Sequence, residues 1–345
     1  MEEIKNRNVG RQFELDLAKA LSILFMATIH VYECSGWYSV GGYKSIAPLG
    51  INLFLEFLGC PLAAPIFMFC MGIGMMYTRH GSPADMAKRG LKLFLIGYAL
   101  NLYRAALPAL GMTIIGATKD AGPFFIMYMF CVDIMQFAGL TFLTIALMKK
   151  LKMKNWMMFL VAVALLLLST LMPVISEEKH PIASYLFGVI VYQNENTAFP
   201  WMQWLFFPTA GMLFGEMLRN AKNKNRLYGL TALAGLLFFA VCTGLAIALK
   251  RDISAFFTTN YYNMDILQAV WTLGVDLLWL PLLYLCSLAV REGIFKNFVS
   301  FCSKHINNIY IAHWCILIIF FMINYLVVID SLWKVILEAI LALAL

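Results

Sequence analysis

Apolar stretches of about 20 residues, the length needed to cross a bilayer core of ~30 Å as helix, recur along this chain and are separated by short clumps of charge. Candidate spans are 13–33, 52–77, 89–108, 123–148, 155–175, 200–218, 227–249, 266–290 and 305–327, with a tenth from 331 to the end. The last is short, since Ser331 to Leu345 allows about 22 Å of helix. The second is long and carries Pro61 and Pro65, and its first part, GINLFLEFLG, is expected along the outer interface. Only 13% of residues are charged and the mean hydropathy is +0.78, so an ordinary cytosolic enzyme, a disordered chain and a secreted disulfide scaffold are excluded. The expected fold is all-α: a polytopic helical bundle of about ten transmembrane helices, one domain over 1–345 with residues 1–12 as a short cytoplasmic N-terminus. The net charge of +7 is spread between spans, so it does not form a nucleic-acid-binding face.

The basic residues fix the expected orientation. With the N-terminus inside, 19 of the 26 Lys and Arg residues fall on inner segments, from Lys5, Arg7 and Arg11 to Arg291, Lys296 and Lys304. The other 7 lie outside, a bias that predicts an inner N-terminus. The start, MEEIKNRNVGRQFELD, is too polar for a cleavable signal peptide. The outer loops 34–50, 176–199 and 250–265 are rich in Tyr, Trp, Asn and Ser, as suits either an interfacial aromatic belt or a sugar-facing rim. No pair among the eight cysteines has CxxC spacing, so they are read as small apolar packers, and no metal site is expected. PIFMFCMGIGMMYTR (65–79) and FFPTAGMLFGEMLR (206–219) share Gly pairs and a closing Arg, a faint internal likeness.

The first span concentrates the chemistry. In FELDLAKALSILFMATIHVYE, Asp16 and Lys19 are three apart and can pair on one face. Lys19 and His30 are eleven apart, three turns plus about 20°, so they share a face about 16 Å apart along the axis. Glu33 is one turn above His30 and can hold its ring. Ionisable groups at membrane depth point to a site, although His30 at the interface and Lys19 snorkelling inward would also fit. Asp133 and Gln136, three apart, would line a polar tunnel or hydrogen-bond between helices, and Glu56, Glu216 and Asp276 also lie in or near spans. His305 and His313 are about 80° out of phase on one helix and are poor joint metal ligands. No GxGxxG, Walker loop or Gly-x-Ser-x-Gly occurs.

Leu15-Asp16-x-x-Lys19, ten residues and then His30 resembles the opening of the acyltransferase-3 family, where an Arg, ten residues and a His stand. PIFMFCMGIGM (65–75), KRGLKLFLIGYALNL (88–102), VDIMQFAGLTFL (132–143), FFPTAGMLFGEMLR (206–219) and SKHINNIYIAHW (303–314) resemble further helices of the wider transmembrane acyltransferase superfamily, including its heparan-α-glucosaminide N-acetyltransferase-like branch. Lys19 stands where the family has Arg, keeping the charge without the planar fork. Residues 34–50 hold no His, so the role of that branch's outer-loop His falls to His30.

The resemblance implies a membrane acyltransferase that moves an acyl group, in the first instance acetyl, from cytosolic acyl-CoA to a hydroxyl or amine of an extracytoplasmic glycan. Acetyl-CoA is then a co-substrate, and no cofactor is permanently bound. His30 is the expected base or covalent carrier, with Glu33 beside it. Arg79, Lys88, Arg89 and Lys92, with Lys19, are the expected cations for the donor's phosphates, although topology alone explains much of that cluster. Asp16, Asp133, Gln136, Asn308 and His313 are the expected tunnel and substrate residues. Membrane lipid is a partner, nucleic acid is not, and a homodimer is compatible with the sequence. A bacterial cytoplasmic membrane is the expected location. The rival reading is a transporter or flippase for a small molecule or lipid-linked sugar, with helices broken at Pro61, Pro65 and Gly72.

Overall fold

The computed structural model describes residues 8–34, 49–114, 122–175, 179–194, 197–258 and 260–326. These residues form fifteen α-helices and no named strand. In chain order they are α1 (Phe13–Cys34), α2 (Leu49–Gly59), α3 (Ala64–Tyr77), α4 (Pro83–Asn101), α5 (Leu107–Ile114), α6 (Gly122–Phe130), α7 (Ile134–Lys150) and α8 (Asn155–Ser169). There follow α9 (Pro181–Gly188), α10 (Trp201–Trp204), α11 (Phe206–Asn220), α12 (Lys224–Ala248), α13 (Ile266–Ala289), α14 (Ile294–Lys304) and α15 (Ile306–Leu326). A π-turn, Leu102–Ala106, joins α4 to α5.

Among the described residues five segments are long and apolar enough to cross a membrane: Phe13–Tyr32, Leu49–Tyr77, Pro83–Gly111, Lys224–Ala248 and Ile266–Ala289. Asn155–Ser169 and Ile306–Ile319 are shorter apolar helices. Several expected spans are interrupted: 200–218 is divided at Leu205 between α10 and α11, and 89–108 runs into the π-turn at Leu102–Ala106. The stretch 123–148 breaks at Cys131–Asp133, where the Asp133 carboxylate accepts from the Ile134 N–H at 2.6 Å and so caps α7. The stretch 52–77 breaks at Cys60–Ala63, and Pro65 then sits in the first turn of α3, where its missing N–H costs no helical bond. The expected tenth span lies outside the described residues.

The chain packs into two compact units, each with its own core. The first comprises Met68–Lys222 and Tyr262–Ala269, with Asn8 and Val9. Small residues bring its helices into backbone contact. A Cβ on Gly72 would stand 1.9 Å from the Pro208 carbonyl oxygen, and one on Gly211 would stand 2.0 Å from that of Phe69. The two segments whose Gly pairs resemble each other are therefore the two that pack together. Gly90 and Gly139 serve α4 and α7 in the same way. The α4 helix starts on Ser82, whose hydroxyl accepts from the Asp85 N–H at 3.1 Å, followed by Pro83. Gly211→Val should lower stability by roughly 2 kcal/mol or more, because a branched side chain there meets backbone rather than a movable side chain. Thermal unfolding in detergent checks this, and an unchanged midpoint would mean that α3 and α11 can part without loss.

The second unit comprises Gly10–Phe67, Asn223–Tyr261 and the chain from Val270 to the last described residue, Leu326. Its α1 is held at several points. Glu14, 3% exposed, accepts from Lys224 at 2.6 Å and from the Tyr228 hydroxyl at 2.9 Å, which ties α1 to α12. The Tyr228 ring stacks on Tyr284 of α13 with centroids 4.1 Å apart. Gly235 and Gly274 allow α12 and α13 to touch. At the other end of α1, Val31 and Leu317 of α15 form a small core joined by Trp314 and Ile316.

Candidate functional site

His30 lies on α1 and His313 on α15, within the second unit. His30 Nδ1 is 3.1 Å from His313 Nε2. The rings are nearly parallel, 11° apart, with centroids separated by 5.4 Å. Trp314 covers His30 at 4.5 Å, and Tyr310 meets His313 edge-on at 5.0 Å. His313 is 2% exposed while His30 is half-buried, so the inner ring is sealed and the outer one reachable. A hydrogen bond between two ring nitrogens needs one proton between them. When Nδ1 of His30 carries it, Nε2 is that ring's basic nitrogen.

The lower part of α1 departs from the expected pairing. Asp16 does not pair with Lys19. It accepts from Arg11, whose side chain folds back over the start of the helix, and from the Ser303 hydroxyl of α14 at 2.6 Å. A guanidinium from outside the helix and a hydroxyl from α14 satisfy both carboxylate oxygens, so the neighbour three residues on is not needed. The Lys19 ammonium has no ion pair or hydrogen bond among the described residues and is half-buried. The first helix thus carries, below an imidazole, a cation with no counter-ion among the described residues, at the eleven-residue spacing that sets both on one face. The Glu33 side chain lies outside the described residues. Asn308 is exposed on α15.

The other expected residues belong to the first unit. Arg79, Lys88, Arg89 and Lys92 are exposed at the start of α4 and just before it. The Arg89 guanidinium lies over the Phe142 ring of α7, its Cζ 4.6 Å from the centroid. Asp133 pairs with Arg104 at 2.5 Å, and Arg104 also donates to Asn101 Oδ1 at 3.1 Å. Asn101 in turn donates to the carbonyls of Met129 and Cys131, which closes the break between α6 and α7. Arg104 lies inside the π-turn, a geometry that changes the phase of the helix and marks functional positions in many proteins. Gln136 has no exposed surface and packs against the backbone of Gly97. Its amide finds no hydrogen-bond partner among the described residues. Glu216 accepts from Asn155 of α8 at 2.8 Å, an interhelical bond. Among the described residues no group of three His, Cys, Asp or Glu is arranged to hold a metal.

Sequence reasoning missed four partners: His313 for His30, Arg104 for Asp133, and both Arg11 and Ser303 for Asp16. The late segment SKHINNIYIAHW contains two of them, so its polar residues were the available signal.

A helical protein with several membrane-length apolar helices and a paired imidazole near the far end of its first helix has the makings of a membrane-embedded group-transfer protein. The acyltransferase family 3 profile, described as an acyltransferase domain, matches residues 12–345, and the chain belongs to that family. It is therefore a membrane acyltransferase in its general class. No curated protein and no solved structure matches the chain.

Proposed function

We propose that this protein transfers an acyl group, acetyl in the first instance, from cytosolic acyl-CoA to a hydroxyl or amine of a glycan outside the membrane. The observation that carries the reading is the 3.1 Å contact between His30 and His313, because it makes His30 an oriented base. The Nδ1–H of His30 donates to His313, and Nε2 takes the proton of the acceptor O–H or N–H as that atom attacks the thioester carbonyl. The new acyl bond forms, the C–S bond breaks, and the imidazolium returns the proton to the departing thiolate. Lys19, without a counter-ion among the described residues and about 16 Å along the helix from His30, suits an anionic part of the donor away from the reacting carbonyl. The charge bias of the loops supports an inner N-terminus; on the reading of about ten spans in a bacterial cytoplasmic membrane, the basic start of α4 then faces the cytosol.

On this reading the 3′-phosphate and pyrophosphate of CoA meet Arg89, with Lys92, Lys88 and Arg79 near it. One charge-assisted contact contributes about 1.5–3 kcal/mol, roughly tenfold to a hundredfold in affinity. Arg89→Ala should raise the acetyl-CoA KM by that factor and change kcat less, since the phosphates bind alike in ground and transition states. A variant that has lost the 3′-phosphate contact should no longer distinguish acetyl-CoA from its dephospho form. Binding of acetyl-CoA and release of the CoA thiol by purified protein test the function as a whole. If alanine at each of Arg79, Lys88, Arg89 and Lys92 leaves donor affinity normal, these cations set topology alone.

A further inference from the structure

The segment between α13 and α15 is α14, an eleven-residue helix with three distinct sides. Val299 and Ser303 are buried, and the unit ties this side to α1: Ser303 donates to Asp16 at 2.6 Å, and Arg11 donates to the Ser300 carbonyl at 2.7 Å. A second side carries Ile294, Phe295, Phe298 and Phe301, spaced to fall on one stripe and exposed by 90%, 56%, 62% and 57%. The third side is polar, with Lys296, Asn297, Ser300 and Lys304. Arg291 and the half-exposed Arg11 add charge beside it, and Glu292, paired with Lys296, is the acid of this patch.

Four large apolar side chains exposed side by side on so short a helix would be costly in water. An apolar stripe with lysines at its polar edge, on a helix too short to span, is the design of a helix lying in the plane of the membrane interface. The charge decides the lipid. Arg11, Arg291, Lys296 and Lys304 outweigh Glu292 and the buried Asp16 that pairs with Arg11, and such a cluster attracts anionic headgroups.

We propose that α14 is an interfacial helix that binds anionic lipid. Its phenylalanines enter the acyl region just below the headgroups, and its bases contact lipid phosphates on the side of the membrane where α1 begins. Through Ser303–Asp16 and Ser300–Arg11 this lipid contact also fixes the height of α1, the helix that carries Lys19 and His30. The lipid site is independent of the acyl-transfer reading and stands whether or not that reading does.

The test uses the full chain in bilayer nanodiscs of equal phosphatidylglycerol and phosphatidylcholine. The photo-reactive residue p-benzoylphenylalanine replaces Phe298, and a control carries it at Leu237 of α12, an exposed site on a long apolar helix. After illumination, mass spectrometry identifies what each probe has captured. The Phe298 site should yield lipid adducts enriched roughly threefold in phosphatidylglycerol, while the Leu237 adducts follow the bulk composition. Lys296→Gln combined with Lys304→Gln should keep the adducts and remove the enrichment. Lipid adducts without enrichment would overturn the anionic site. A protein–protein adduct as the main product would assign the stripe to a second copy. No adduct at Phe298, with a working control at Leu237, would mean that the stripe faces water.

Discussion

His30→Ala is expected to lower acyl transfer by roughly 10²-fold or more, the usual contribution of a positioned general base, while acetyl-CoA binding and the melting temperature stay close to normal. His30→Gln should do the same, because an amide keeps polarity without basicity. The pairing with His313 adds a graded series. His313→Ala removes the acceptor for Nδ1–H and lets the imidazole take either tautomer, so kcat should fall roughly tenfold with the donor KM unchanged. His313→Gln offers a side-chain oxygen in the same place and should restore much of that loss. The measurement is CoA thiol release by the purified protein in the presence of cell-envelope glycan. Near-normal transfer by both His30 variants would remove the imidazole from the chemistry. Loss with His30→Ala but full activity with His313→Ala would reduce the 3.1 Å contact to packing. Loss in His313→Ala that glutamine does not restore would point to volume rather than hydrogen bonding.

What could be read in advance depended on the distance over which each interaction acts. The helical phase that sets Lys19 beneath His30 is local, and counting residues along α1 was enough to find it. The partner of Asp16 could not be found that way. A three-residue spacing pointed to Lys19, but the carboxylate instead meets Arg11, which precedes the helix, and Ser303, far along the chain. His313 stood out as polar in an apolar helix, yet nothing in a single sequence brings residue 313 to residue 30. The helix break at Asp133 was partly legible, since an Asp before IMQF has the form of a cap. A hydropathy window hides it because both sides are apolar. The π-turn has no such mark in LYRAA. Helix α14 is legible in the sequence, since Ile294, Phe295, Phe298 and Phe301 recur at helical spacing, but a segment this short and this rich in lysine has the same composition as a plain inner loop.

Asp133 is where stability and tunnel readings give opposite results. Its carboxylate does two jobs at the head of α7: one oxygen caps the Ile134 N–H, and the other meets Arg104 at 2.5 Å, with both side chains about one-tenth exposed. Removing one member of a buried pair leaves the other charge uncompensated, at a cost of roughly 3–5 kcal/mol, and losing a helix cap costs about 1 kcal/mol more. Asp133→Ala should therefore lower stability by the sum of these, and Asp133→Asn by the first amount, because an amide still caps. The double variant Asp133→Asn with Arg104→Met should recover much of the loss, since no charge is then left buried. Thermal unfolding in detergent measures all three. A residue that only lined a substrate passage would behave differently: Asp133→Asn would keep its melting temperature and lose turnover, and the double variant would be no better than the single one. The hydrogen bonds from Asn101 to Met129 and Cys131 make the first pattern the expected one, because Arg104, Asn101 and Asp133 together close the gap between α6 and α7.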